Sequence, residues 1–137
     1  MYIRERRPAI DDRHLIDITL NNFETTREQT RRILRTADTV LVICNDRNQV
    51  IGYISYRWIL KGFAYVDYVV LDEQYQGKGI ASSLLPKVME HALENNIYCV
   101  LGYVSLENEE SLRKFQKWEF QPLFYWLNGV VIGRMLI

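Results

Sequence analysis

The stretch Tyr75–Leu85, YQGKGIASSLL, joins an apolar run rich in β-branched residues to an amphipathic one. Two glycines, an alanine and two serines stand at the junction, and their reading decides the fold. The first turn of a helix leaves about four N–H groups without intrahelical partners, and the macrodipole adds roughly half a positive charge there. Gly77 and Gly79 lack a Cβ, so an anionic group can approach the backbone closely. Lys78 adds a charge at the rim. The spacing is neither the phosphate loop G-x-x-x-x-G-K-[ST] nor the dinucleotide fingerprint G-x-G-x-x-G. Two readings stand on these residues alone: an anion-binding turn, or a tight strand-to-helix connection.

Upstream, TVLVICNDRNQVIGYISYRWILKGFAYVDYVVLDEQ (39–74) holds three β-branched and aromatic runs separated by NDRNQ and KG, which predicts an antiparallel meander. Downstream, KGIASSLLPKVMEHALENN (78–96) sets Ala81, Leu84, Leu85, Val88 and Ala92 on one helical stripe that Asn95-Asn96 can end. Pro86 inside that helix deletes one backbone bond, a cost of about 3 kcal/mol in a helix interior. IYCVLGYVS (97–105) reads as a buried strand and NEESLRKFQKWEF (108–120) as a short amphipathic helix. LFYWLNGVVIGRMLI (123–137) reads as two strands around Asn128-Gly129, a strong hairpin signal.

At the other end, YIRERR (2–7) alternates as a strand that Pro8 ends. IDDRHLIDITLNNF (10–23) spaces Ile10, Leu15, Ile18 and Phe23 as a helix, with Asp11 or Asp12 as its cap. TTREQTRRILRTAD (25–38) is a second helix capped by Thr25 or Thr26, and its arginines form a solvated face. The order β-α-α-β-β-β-α-β-α-β-β predicts one domain over 1–137, a mixed α/β sheet with a central parallel crossover.

Seventeen basic and seventeen acidic residues cancel, so no global field draws nucleic acid or an acidic membrane surface. Apolar stretches are broken well before about 18 residues, which predicts no membrane span, and MYIRERRPAIDD has no apolar leader region. Cys44 and Cys99 sit in strand-like runs, as two buried thiols of a reducing compartment would. A cytoplasmic protein is the expectation. His14 and His91 have no ligand-spaced partners, so no metal is expected.

The run Gln76-Gly77-Lys78-Gly79-Ile80-Ala81 resembles the Q/R-x-x-G-x-G/A motif of the GCN5-related N-acetyltransferases, the GNAT family. A second run, ENEESLRKFQKWEF, is similar to the family's N-x-x-[AS]-x-x-x-Y-x-x-x-G-F through Asn108, Ser111 and Phe120. The element order is also the family's, from end to end. The resemblance implies a mostly antiparallel sheet of about seven strands with about four helices. It also implies acetyl-CoA as cosubstrate, with no metal. Gln76, Gly77, Lys78, Gly79, Ile80, Ala81 and Ser82 would hold the pyrophosphate. Val69, Val70 and Leu71 would pair with the pantetheine arm, and Asn108 and Ser111 would contact it. The implied reaction is direct attack of an amine, from a small molecule or a peptide, on the thioester carbonyl. A backbone N–H of Val70 or Leu71 would polarise the oxygen.

Such a reaction needs a route for the amine proton. Asp67 is the carboxylate inside the strand before the loop and, if buried, a proton acceptor; an Asp satisfied by a neighbouring backbone group or Arg is the alternative. Tyr103 stands where some relatives carry a glutamate base, and it can orient a water or the substrate or simply pack. The sequence departs from the family at Phe115, where the leaving thiolate's usual tyrosine acid falls, and at Glu119-Phe120, where Gly-Phe is usual. Phe115 keeps a second reading open, an acetyl-CoA-binding regulatory module without turnover. Exposed edge strands and the C-terminal hairpin allow a homodimer.

Overall fold

The computed structural model describes residues 1–137 as seven strands and four helices. In chain order these are β1 (Tyr2–Glu5), α1 (Pro8–Asn22), α2 (Arg27–Thr36), β2 (Thr39–Cys44), β3 (Val50–Leu60), β4 (Phe63–Leu71), α3 (Ile80–Glu94), β5 (Cys99–Ser105), α4 (Glu109–Lys117), β6 (Gln121–Trp126) and β7 (Gly129–Met135). This is the expected order, with one 3-10 turn added at Glu73–Tyr75. The strands form a mixed sheet ordered β1-β2-β3-β4-β5-β7-β6. β4 and β5 are parallel; β1–β2, β2–β3, β5–β7 and β6–β7 are antiparallel. A parallel pair cannot be closed by a hairpin, and α3 supplies the crossover. No helix is long and apolar enough to cross a membrane. The chain packs as two compact units, Met1–Arg57 with Asp67–Val88, and Trp58–Val66 with Met89–Ile137.

In the first unit, strand alternation gathers Val40, Val42 and Cys44 on one face of β2, clustered with Leu15, Ile16 and Ile18 of α1 and Leu34 of α2. Burying each such side chain contributes about 1.5–3 kcal/mol. Thr26, not Thr25, caps α2, its hydroxyl accepting from the Gln29 N–H at 3.1 Å. The start of α1 differs from expectation. Neither Asp11 nor Asp12 is the cap; Arg7 occupies that position and Pro8 is the first helical residue. Proline's fixed φ and missing N–H suit that position, so the helix starts several residues early. Ile10, expected on the buried stripe, lies five residues and so about 140° around the helix from Leu15 and is exposed, while Ile16 lies in the core.

Asp11 instead reaches back from the first turn. It accepts from the Arg7 N–H at 2.7 Å and from both terminal nitrogens of Arg4 at 2.8 and 2.9 Å. The Arg4 hydrogen bonds, helped by the Arg7 amide and opposed by burial, hold its carboxyl below the usual carboxylate range. A carboxyl with a lowered folded pKa contributes stability above its unfolded pKa and loses it as the pH falls through the folded value. Asp11→Asn is therefore expected to be less stable at neutral pH, and to lose stability less steeply than the wild type below about pH 4. Urea unfolding at a series of pH values checks this; parallel slopes for the two proteins would contradict it.

In the second unit, Val100 and Val104 of β5 and Val130 and Ile132 of β7 are buried along with Phe120. Phe115 of α4 meets Trp118 and Phe120 edge-on, with ring centroids at 5.5 and 5.3 Å. The C-terminal hairpin turns one residue earlier than its Asn-Gly signal suggested. β6 ends at Trp126 and β7 begins at Gly129, which leaves Leu127 and Asn128 as the loop, with Leu127 left-handed at φ 53°. Gly129 is needed for packing: a Cβ there would lie 2.2 Å from the Tyr103 ring. Cys44 and Cys99 are both free and buried, and burial pushes the Cys99 thiol pKa up.

Candidate functional site

The site grows from the C-terminal end of β4. The Val70 carbonyl oxygen lies 2.3 Å from where a Cβ on Gly52 of β3 would stand, so only glycine accommodates this approach. The Asp72 N–H donates to the Ile51 carbonyl at 2.7 Å. In an antiparallel pair successive residues turn their polar groups to opposite sides. Val70 and Asp72 therefore face β3, while the amides of Val69 and Leu71 face away from it. Of the two amides expected as polarising donors, the alternation favours Leu71 over Val70.

Past β4 the chain is held by side chains. Asp72 accepts from the Gln74 N–H at 3.2 Å and starts the 3-10 turn. Asn45 donates to the Tyr75 hydroxyl at 3.2 Å. The Gln76 amide nitrogen donates to Asn22 at 2.6 Å and to the Leu71 carbonyl at 2.8 Å, and Asn22 donates to the same carbonyl at 3.2 Å. The Gln76 side chain thus ties the loop to the end of α1.

Gly77 and Gly79 follow at φ 72° and 75°, a left-handed backbone that glycine adopts without strain. Apart from the adjoining residues, no atom lies within 4 Å of the position a Cβ would take on either, so the space on that side of each glycine is open. The Ser83 N–H donates to the Gly79 carbonyl at 3.0 Å. Gly79 therefore caps α3, and the amides of Ile80 and Ala81 belong to the first turn, which has no acceptors of its own. Lys78 lies 6.0 Å from the centre of the Tyr75 ring. Left-handed glycines, first-turn amides and open space together fit the diphosphate of a nucleotide-like cofactor.

The other candidates are placed as follows. Asp67 is half-buried and not fully so; Arg57 grips both its oxygens, Nε at 2.8 Å and a terminal nitrogen at 3.0 Å. The fork takes one lone pair on each oxygen, so a further donor can still reach the carboxylate. In the second unit, the Tyr103 hydroxyl donates to the Trp126 carbonyl at 2.8 Å, which fixes the ring across Gly129. Asn108 caps α4, its side-chain oxygen accepting from the Ser111 N–H at 3.2 Å. Phe115 fills an aromatic cluster. Glu119 keeps the left-handed backbone that suits the family's usual glycine, at φ 67°, and its carboxylate meets Arg134 at 3.2 Å.

Three residues that shape the site were not singled out from the sequence. Gly52 had a signal, since an isolated glycine inside a strand marks close approach of another backbone. Arg57 had one too, because Arg57 and Asp67 each lie five positions from Gly62 of the KG turn. Asn22 had none, because its partners are 49 and 54 residues away.

The sequence profile of the acetyltransferase (GNAT) family matches residues 9–134. Over 86 residues the chain is 30% identical to Acetyltransferase Atu2258 of Agrobacterium fabrum (strain C58 / ATCC 33970), covering 63% of this chain. It spans 61% of that relative's length. Among solved structures, Ard1 from Thermoplasma volcanium matches with a TM-score of 0.82 at 21% identity, over 99% of this chain and 97% of that one. A GNAT family acetyltransferase from Elizabethkingia anophelis with acetyl-CoA bound also reaches 0.82, at 14% identity, over 98% and 97% of the two chains. At these identities the likeness to solved structures speaks for the fold. The profile match runs over nearly the whole sequence, and the chain belongs to the acetyltransferase (GNAT) family.

Proposed function

We propose that this chain, as one domain over 1–137, is an acetyl-CoA-dependent N-acetyltransferase acting on a primary amine of a small molecule or peptide. The observation that carries the reading is the open left-handed turn at Gly77 and Gly79 leading into the first-turn amides of α3. When bound, acetyl-CoA would supply an activated acetyl group. The amides from Gly77 to Ala81, with Ser82 beside them, would hold the pyrophosphate, and Lys78 would add charge. Gln76 would contribute by fixing the loop to Asn22 and Leu71. Val69 and Leu71 would offer backbone groups on the side away from β3, Leu71 giving the polarising N–H. The cofactor roles of Asn108 and Ser111 rest on the family motif alone. Solved relatives carry names that specify spermidine or ribosomal-protein alanine as acceptors, all of them amines.

A second reading, an acetyl-CoA-binding regulatory module with little turnover, is favoured by Phe115, whose ring has no proton to give. Incubation with acetyl-CoA and a broad panel of amines, following free thiol, separates the two. Amine-dependent thiol release supports the enzyme; tight cofactor binding with no release above background across the panel sinks it.

For Asp67 as proton acceptor, Asp67→Asn is expected to lower kcat about 10-fold and leave the KM for acetyl-CoA within about two-fold. Arg57→Gln serves as the control, since it breaks the pair and keeps the carboxylate. Equal losses in both variants, with the same pH profile, would reduce Asp67 to an ion-pair partner.

A further inference from the structure

α4 closes at its C-terminal end with two backbone bonds, from the Glu119 N–H to the Gln116 carbonyl at 3.0 Å and from the Phe120 N–H to the Phe115 carbonyl at 2.9 Å. This closure needs a left-handed residue at position 119. Glu119 supplies it at φ 67°, where any residue with a Cβ is strained and glycine is not. Its carboxylate also stands at the negative end of the helix dipole, which favours cations such as Lys114 and Lys117. The ion pair with Arg134 at 3.2 Å offsets little of this, because the Glu119 side chain is 78% exposed. Backbone and dipole both select against glutamate here, so the stability of the fold does not account for it.

Glu119 lines a cavity of about 300 Å³ that lies wholly within the second unit. Arg134 and Gln121 line it too, and Cys99, Leu123 and Met135 give it an apolar wall. Cys99 and Met135 are cross-strand partners, while Leu123 and Met135 are 54 and 60% exposed. The cavity therefore lies at the start of β5, four residues and so about 13 Å along the strand from Tyr103. A terminal nitrogen of Arg134 donates to the Trp118 carbonyl at 3.0 Å; this bond and the Glu119 contact use two of the five guanidinium N–H groups. An anion alone at Arg134 would be repelled by Glu119, and a cation alone at Glu119 by Arg134. A molecule carrying both charges meets a partner for each, and the wall takes its apolar part.

We propose that this cavity binds a free α-amino acid with an aliphatic side chain. Its carboxylate lies on Arg134, its ammonium on Glu119 and its side chain against Leu123 and Met135. The volume stands at the lower end for small-molecule sites, which suits a ligand of about nine non-hydrogen atoms. The site is independent of whether the chain transfers acetyl groups.

Isothermal titration calorimetry of the whole chain with L-leucine tests the proposal, and a Kd of about 1 mM or tighter is expected for a ligand of this size. Isocaproate, which lacks the ammonium, and isoamylamine, which lacks the carboxylate, should each bind at least about 10-fold more weakly. Glu119→Gly is expected to fold at least as stably as the wild type and to weaken leucine binding by about the same 10-fold factor. In the wild type, the amide NMR signals of Glu119, Gln121, Leu123 and Met135 should shift in step with leucine concentration, a readout that needs no variant to fold. Four results would each overturn the proposal. They are no saturable binding up to about 20 mM leucine, equal binding of either single-charge analogue, an affinity untouched by Glu119→Gly, or shifts confined to other residues.

Discussion

Gly79→Val is expected to raise the Kd for acetyl-CoA by at least about 100-fold, with the apo protein still folded. The argument has two parts. First, Gly79 sits at φ 75°, where a β-branched residue is strained, so the turn will change its backbone to admit valine. Second, the space around a Cβ there is open, so nothing in the fold opposes the new side chain, which would stand in the opening that a diphosphate needs. Loss or misalignment of two hydrogen bonds to a charged phosphate, at about 1.5–3 kcal/mol each, more than accounts for a 100-fold change. The check is ligand-dependent thermal stabilisation. At about 100 times its Kd a ligand adds about 2.7 kcal/mol to stability, an easily read shift in Tm. In the variant, at the same cofactor concentration, the gain should fall to about 0.4 kcal/mol or less. An unchanged shift would show that the pyrophosphate does not sit on this turn.

The loop was legible because its chemistry lies in the backbone. Two glycines at the head of an amphipathic run announce left-handed turns and first-turn amides without any knowledge of distant partners. Element order was legible for a similar reason: period-2 and period-3.6 patterns are local. What escaped was whatever depends on a partner far away in sequence. Asp11 reads locally as a cap, yet Arg4 on β1 and the proline-set start of α1 turn it into a buried ion-pair acceptor. Asn128-Gly129 reads as the turn itself, yet Gly129 is selected by the Tyr103 ring lying over it. Gln76 matches a motif position associated with the cofactor, while its side chain is spent on Asn22 and Leu71. Asp67 reads from its sequence position as either a base or an ion-pair partner; its fork with Arg57 makes the second role visible and leaves the first to kinetics.

Gly52→Ala is expected to cost about 3 kcal/mol of stability, the upper part of the range for overpacking, and to lower kcat about 100-fold. A Cβ at this position would lie 2.3 Å from the Val70 carbonyl oxygen, 2.8 Å from the Leu71 Cδ2 and 3.2 Å from the Leu71 Cα. A flexible side chain could turn aside, but two of these three atoms are backbone, so β4 itself must move by about 1 Å to restore ordinary contact. Such a shift acts on the residues whose outward amides are proposed to meet the cofactor, and displacements of about 1 Å can cost about 100-fold in rate when they misalign reacting groups. Urea unfolding measures the first effect and thiol release the second. The loop from Gln76 to Ala81 is also anchored to Asn22 of α1, outside the strand that shifts, so acetyl-CoA affinity should fall less than kcat. A loss confined to affinity would place the consequence of the shift in the loop. Wild-type stability together with wild-type turnover would mean that β4 gives way at no cost, and that the Val70 carbonyl does not hold the Leu71 amide in place.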